Sequence, residues 1–121
     1  MSSEFSPSSF DLKVANAKAA LRSRDFQQAR IAIADAMGLN MDAPEPHNLL
    51  GILYEMLGDF QAARKHYRAG YALDPVYKPC CRNLERITGF DGAPFINTMV
   101  FDASEIEPER VKKPIRTAMK R

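Results

Sequence analysis

Tryptophan is absent from this 121-residue chain, and histidine and cysteine occur twice each. The cysteines are neighbours, Cys80 and Cys81, so no disulfide framework can be drawn. Adjacent thiols close a strained ring or hold a soft metal only with further ligands or a redox role, so two ordinary thiols on a helix are expected. His47 and His66 lack Cys or carboxylate neighbours at ligand spacing, and His47 falls at a packing position. There is no glycine-rich phosphate loop, no HExxH and no GxSxG. Enzymatic activity is therefore not expected, nor is a cofactor or a metal. No apolar run approaches the roughly 20 residues that cross a bilayer. The start, MSSEFSPSSF, lacks the basic residues and apolar core of a secretion signal, so no membrane contact and a cytoplasmic location are expected.

The charge that is present is unevenly spread. The chain carries a formal +2, yet residues 110–121, RVKKPIRTAMKR, hold six Lys or Arg and no acid. The remainder has 11 basic and 15 acidic side chains, a balance of −4. A mildly acidic body thus ends in a basic tail.

The body repeats itself. DFQQAR at 25–30 returns as DFQAAR at 59–64, an offset of 34 residues. The second copy follows PEPHNLLGILYEML, in which Leu49, Leu50, Leu53, Tyr54 and Leu57 stand at helical spacings. Gly58 ends that helix and Asp59 caps the next. The next helix, FQAARKHYRAGYAL, is expected to bury Phe60, Ala63, Tyr67, Gly70 and Tyr71, and Asp74-Pro75 stops it. Shifted back by 34, the pattern predicts helices at 9–22 and 26–37, with Phe26, Ala29 and Ala36 held and Ile33 in place of Tyr67. Shifted forward, it leaves room for one helix at 76–88, with a seam of Val76, Tyr77, Cys80, Cys81, Leu84 and Ile87, closed by Gly89.

Helix, tight turn, helix and stop in about 34 residues resembles the tetratricopeptide repeat, whose pattern reads W-x2-L-G-x2-Y, then A-x3-F, then P. Here the matching residues are His47-x2-Leu50-Gly51-x2-Tyr54, Ala63-x3-Tyr67 and Pro75, with His47 and Tyr67 as the departures. Gly51 and Ala63 are the small residues that let the two helices of a hairpin approach. The resemblance covers about 10–88. It implies an all-α array of antiparallel hairpins: an extension at 1–8, repeats at about 10–43 and 44–77, a capping helix at 76–88, and an extended tail over 90–121. Two repeats and a cap fall short of the three usually needed for independent stability. The chain is therefore expected to self-associate or to draw cover from its last third.

That last third loses the helical period. Residues 95–101, FINTMVF, form a β-prone apolar run, expected to dock as an extended strand on its own repeats or on a twin's. Ser104 and Glu107 are placed to cap a short helix from Pro108. No aromatic interleaves the basic end, so it offers nucleic acid no stacking platform, and nucleic-acid binding is not expected.

By analogy with the family, the first helices of each hairpin line a concave groove. The residues facing it would be Asp11, Val14, Lys18, Leu21 and Arg22, then Glu45, Asn48, Ile52, Glu55 and Met56, then Arg82 and Arg86. Co-chaperone members grip a terminal carboxylate with Lys, Asn and Arg. The corresponding positions here hold Val14, Lys18, Leu49, Pro79 and Asn83, so that activity is not implied. What the resemblance implies is a protein-interaction module or adaptor that takes a peptide or protein segment. The alternatives are a homodimer or larger homo-oligomer covered by its own tail, and a secretion chaperone.

Overall fold

The computed structural model describes residues 8–89 and 99–106. Five helices follow in order: α1 Ser9–Arg22, α2 Phe26–Leu39, α3 Glu45–Met56, α4 Phe60–Leu73 and α5 Lys78–Thr88. A 3-10 turn, Ala103–Glu105, comes after them. α1 pairs with α2 and α3 with α4, while α5 lies along α4. α1, α3 and α5 are also neighbours and form one continuous face.

The period of 34 is written in the turns. Asp25 accepts a hydrogen bond from the Gln28 amide at 3.2 Å, and Asp59 accepts one from Ala62 at 3.1 Å. The Asp25 amide donates to the Ala20 carbonyl and the Asp59 amide to that of Tyr54, both at 2.8 Å. The residue before each Asp is left-handed, Arg24 with φ 62° and Gly58 with φ 86°. Gly adopts that conformation freely, whereas Arg pays about 1 kcal/mol or more for it. Further on, Asn40 and Asp74 close α2 and α4 with the same extended backbone, φ −152° in both. The segment between α2 and α3, which reads as an open loop in the sequence, is thus the counterpart of the turn into α5. Backbone periodicity survives where the side chains have diverged, because the caps and the left-handed residue set the chain direction.

The helix seams bury Leu21, Ile33, Leu49, Ile52, Leu53 and Tyr67 almost completely. Gly51 is where α3 and α4 touch: a methyl there would sit within 3 Å of three atoms of the Tyr67 ring. In the first hairpin the equivalent contact is Ala17 in place of Gly51, with the smaller Ile33 in place of Tyr67.

Three seam expectations need correction. Phe60 and Tyr71 are 40% and 43% exposed, because they stand at the two ends of α4 while α3 is two residues shorter than its partner. Val76 is 78% exposed in the turn, since α5 begins only at Lys78. The buried stripe of α5 includes a polar residue instead, Asn83.

The core does not end with the helices. Met99 and Phe101 belong to the same buried cluster as Leu21, Ile52 and Ile87. For 99–101 the apolar run docks on its own repeats in an irregular extended form; 95–98 lie outside the described residues. Ser104 lies within the 3-10 turn, and the residue that caps this turn is Asp102. The helix expected from Pro108 and the basic end fall outside the described residues.

Candidate functional site

The face built by α1, α3 and α5 is occupied by residues 99–106. At its centre stand Asn48 on α3 and Asn83 on α5, both fully buried. The Asn83 amide pairs with one residue of main chain in both directions. Its Nδ2 donates to the Val100 carbonyl at 2.8 Å, and its Oδ1 accepts from the Val100 amide at 2.8 Å. Asn48 Nδ2 donates to the same carbonyl at 2.9 Å, and its Oδ1 accepts from Asn83 at 2.8 Å. A carboxamide matches a peptide unit in donor and acceptor, so this pairing mimics one rung of a β-ladder.

Behind the asparagines a buried ion pair holds the register. Arg86 donates to both Glu55 oxygens, at 2.5 and 2.8 Å, and Tyr67 donates to Glu55 Oε1 at 2.8 Å. Arg86 also reaches Asn83 Oδ1 at 3.3 Å, which fixes which end of that amide is oxygen. Burial disfavours the Arg86 cation, but the Glu55 carboxylate outweighs this and holds the guanidinium above its ordinary range. Burial and then the same carboxylate push the Tyr67 phenol well up, so it stays a donor.

The rim is cationic on α1. Lys18 pairs with Asp102 at 2.6 Å, and Arg22 pairs with Glu105 at 2.7 Å while lying 4.0 Å over the Phe101 ring. Burial alone would raise the Asp102 carboxyl, but Lys18 and Ser104 hold it below the usual range. Next to Asp102 the face stays open as a cleft of about 430 Å³ lined by Phe10, Asp11, Val14, Lys18, Glu45 and Tyr77.

The residues expected at the groove therefore divide. Lys18, Arg22 and Asn48 bind 99–106 directly, and Glu55 and Arg86 stand behind the contact. Leu21 and Ile52 are wholly buried, with Val14 and Met56 packed at the edge of the same cluster. Asp11 and Glu45 line the cleft, and Arg82 is exposed. Asn83 was absent from that set. Its signal was a polar residue on the stripe that runs through Cys80 and Ile87, where burial without a partner is costly.

His66 stacks between His47 and Tyr54, with ring centroids 5.9 and 5.4 Å away respectively. Burial lowers both pKa values from 6.5, and His66 is lowered further by the charge of His47 and Lys65. The unfolded chain therefore takes up these protons first. The stability contributed by the neutral pair is complete above 6.5 and is lost as pH falls through the lowered values. Thermal melts between pH 7.5 and 5.5 are expected to show a falling Tm, and His66→Phe to flatten the slope. An unchanged slope in the variant would free the pair of that role.

Cys80 and Cys81 are both free thiols, and burial pushes Cys80 up to about 12. Among the described residues no three His, Cys, Asp or Glu gather to hold a metal. No described helix is long and apolar enough to cross a membrane.

Compared with curated proteins and with solved structures, the chain has no significant match in either set. The family model for the tetratricopeptide repeat matches residues 44–75, which span α3 and α4. Residues 44–75 match a tetratricopeptide repeat, and with α1, α2 and α5 they make an all-α arrangement of five described helices packed in adjacent pairs, consistent with a helical repeat of that kind.

Proposed function

We propose that this chain is a non-enzymatic adaptor that binds an extended peptide segment of another protein on the face formed by α1, α3 and α5. Tetratricopeptide repeats are protein-interaction modules in general. The observation that carries the finer reading is the pairing of the Asn83 side chain with both main-chain groups of Val100. Contacts to backbone recognise any segment in an extended conformation, and pockets on either side supply the selection. Residues 99–106 act as a stand-in for such a ligand and, through Met99 and Phe101, as cover for a short array.

The test uses the full chain carrying Phe101→Ser, which removes about 2–3 kcal/mol of buried apolar contact from the stand-in. A fluorescent peptide of residues 97–107, NTMVFDASEIE, is expected to bind this variant saturably and the wild type at least tenfold more weakly, because the internal copy competes. Adding Asn83→Ala should abolish binding. Equal binding to wild type and variant, or none to either, would remove the proposal.

A further inference from the structure

The way 99–106 sits indicates which segments the face prefers. Asn48 and Asn83 hold Val100 through its main chain, and the residue is only partly buried, so selection there is weaker than at its two neighbours. On either side Met99 and Phe101 are 4% and 6% exposed within the core cluster, so those two positions demand large apolar groups. The aromatic ring at 101 gains in addition from the Arg22 guanidinium 4.0 Å above it.

After the ring the demand turns to charge. Lys18 and Arg22 stand one turn apart on α1 and each meets a carboxylate, Asp102 and Glu105. The two acids also fold the segment: Asp102 accepts from the Ser104 amide at 3.0 Å, and Glu105 accepts from the Phe101 amide at 3.0 Å. An acid at each place both answers a fixed cation and closes the turn that follows the ring.

Resting on the groove reading, we infer that the face selects partner segments with a large apolar residue, a residue held mainly through its main chain, an aromatic, an acid, and a second acid three places on, and that 99–105 is the internal competitor with that same pattern. The ligand is a protein segment of acidic and aromatic character.

The experiment titrates three fluorescent 97–107 peptides into the full chain carrying Phe101→Ser. One has the native sequence, one carries Asp102→Asn with Glu105→Gln, and one carries Phe101→Ala. The neutralised peptide is expected to bind about tenfold more weakly, from two partly exposed ion pairs, with the gap closing in 1 M salt. The Phe101→Ala peptide is expected to bind at least tenfold more weakly at any salt. In a chain that also carries Lys18→Glu and Arg22→Glu, the native peptide should lose its advantage over the neutralised one. Should Phe101→Ser prevent folding, Val100→Pro serves as the second open chain, since it deletes the amide that Asn83 accepts from and keeps the apolar atoms.

Native and neutralised peptides binding equally would overturn the selectivity and leave the groove reading standing. No binding by any of the three would overturn the groove reading itself. A wild type that light scattering finds dimeric and Phe101→Ser turns monomeric would assign the face to a second copy of the chain and overturn the partner inference.

Discussion

Replacing Glu55 with Ala is expected to lower the unfolding free energy by about 3–5 kcal/mol, because it strands a buried cation. The Glu55 side chain is 2% exposed and that of Arg86 16%. Without the carboxylate, Arg86 keeps, among the described residues, only its long 3.3 Å contact to Asn83, and its Nε has no partner among them. The Tyr67 hydroxyl loses its acceptor in the same step. Water enters such a site at the cost of the packing around it. Glu55→Gln keeps the volume and one acceptor, so it should fall between wild type and Ala. Substituting Met at both 55 and 86 should recover most of the loss, since a buried ion pair often contributes little over apolar residues of equal volume. Urea unfolding followed by circular dichroism reads all three. A loss under about 1 kcal/mol for Glu55→Ala would mean that Arg86 finds solvent without strain.

The same substitution should reach the face that holds 99–106. A stranded Arg86 is drawn to Asn83 Oδ1, the atom that accepts from the Val100 amide. Both stability and the hold on 99–106 are therefore expected to fall together.

Gly51→Ala is the second large effect, a net loss of about 1–3 kcal/mol. On an open helix the exchange would gain up to about 1 kcal/mol, and Gly38, with nothing within 4 Å of an added methyl, is the position to show that gain. At 51 the methyl overlaps the Tyr67 ring, which is fully buried and tied to Glu55 by its hydroxyl. The ring has nowhere to turn, so α3 and α4 must separate. The first repeat shows the other solution: Ala17 faces Ile33 where Gly51 faces Tyr67. Gly51→Ala with Tyr67→Ile should therefore recover part of the loss, short of the Tyr67 hydrogen bond. Thermal melts of Gly38→Ala, Gly51→Ala and the double variant decide this. Equal Tm shifts for the two glycine variants would show that the α3–α4 contact has room to give.

Much of this molecule is legible in its sequence. The helices begin and end within about two residues of their expected limits because caps act locally: Asp25, Asp59, Gly58 and Pro75 bind or block backbone within a turn of themselves. Tyr54 and Ala63 behave as the spacing requires. Phe60, Tyr71 and Val76 do not, because periodicity states which side of a helix is apolar and not how far a neighbour extends to cover it.

The sequence by itself determined five helices, their order, a 34-residue period and the small residues at the crossings. Each of these rests on contacts between residues close in the chain or one repeat apart. The tertiary structure alone decided that 99–106 lies on the face formed by α1, α3 and α5, and that Asn83 pairs with the main chain of Val100. Those facts depend on pairs such as Lys18 with Asp102 and Asn48 with Val100, separated by 84 and 52 residues. No local propensity encodes such pairs. They form because an otherwise open apolar face, buried polar amides and two rim cations are satisfied at once by the same short segment.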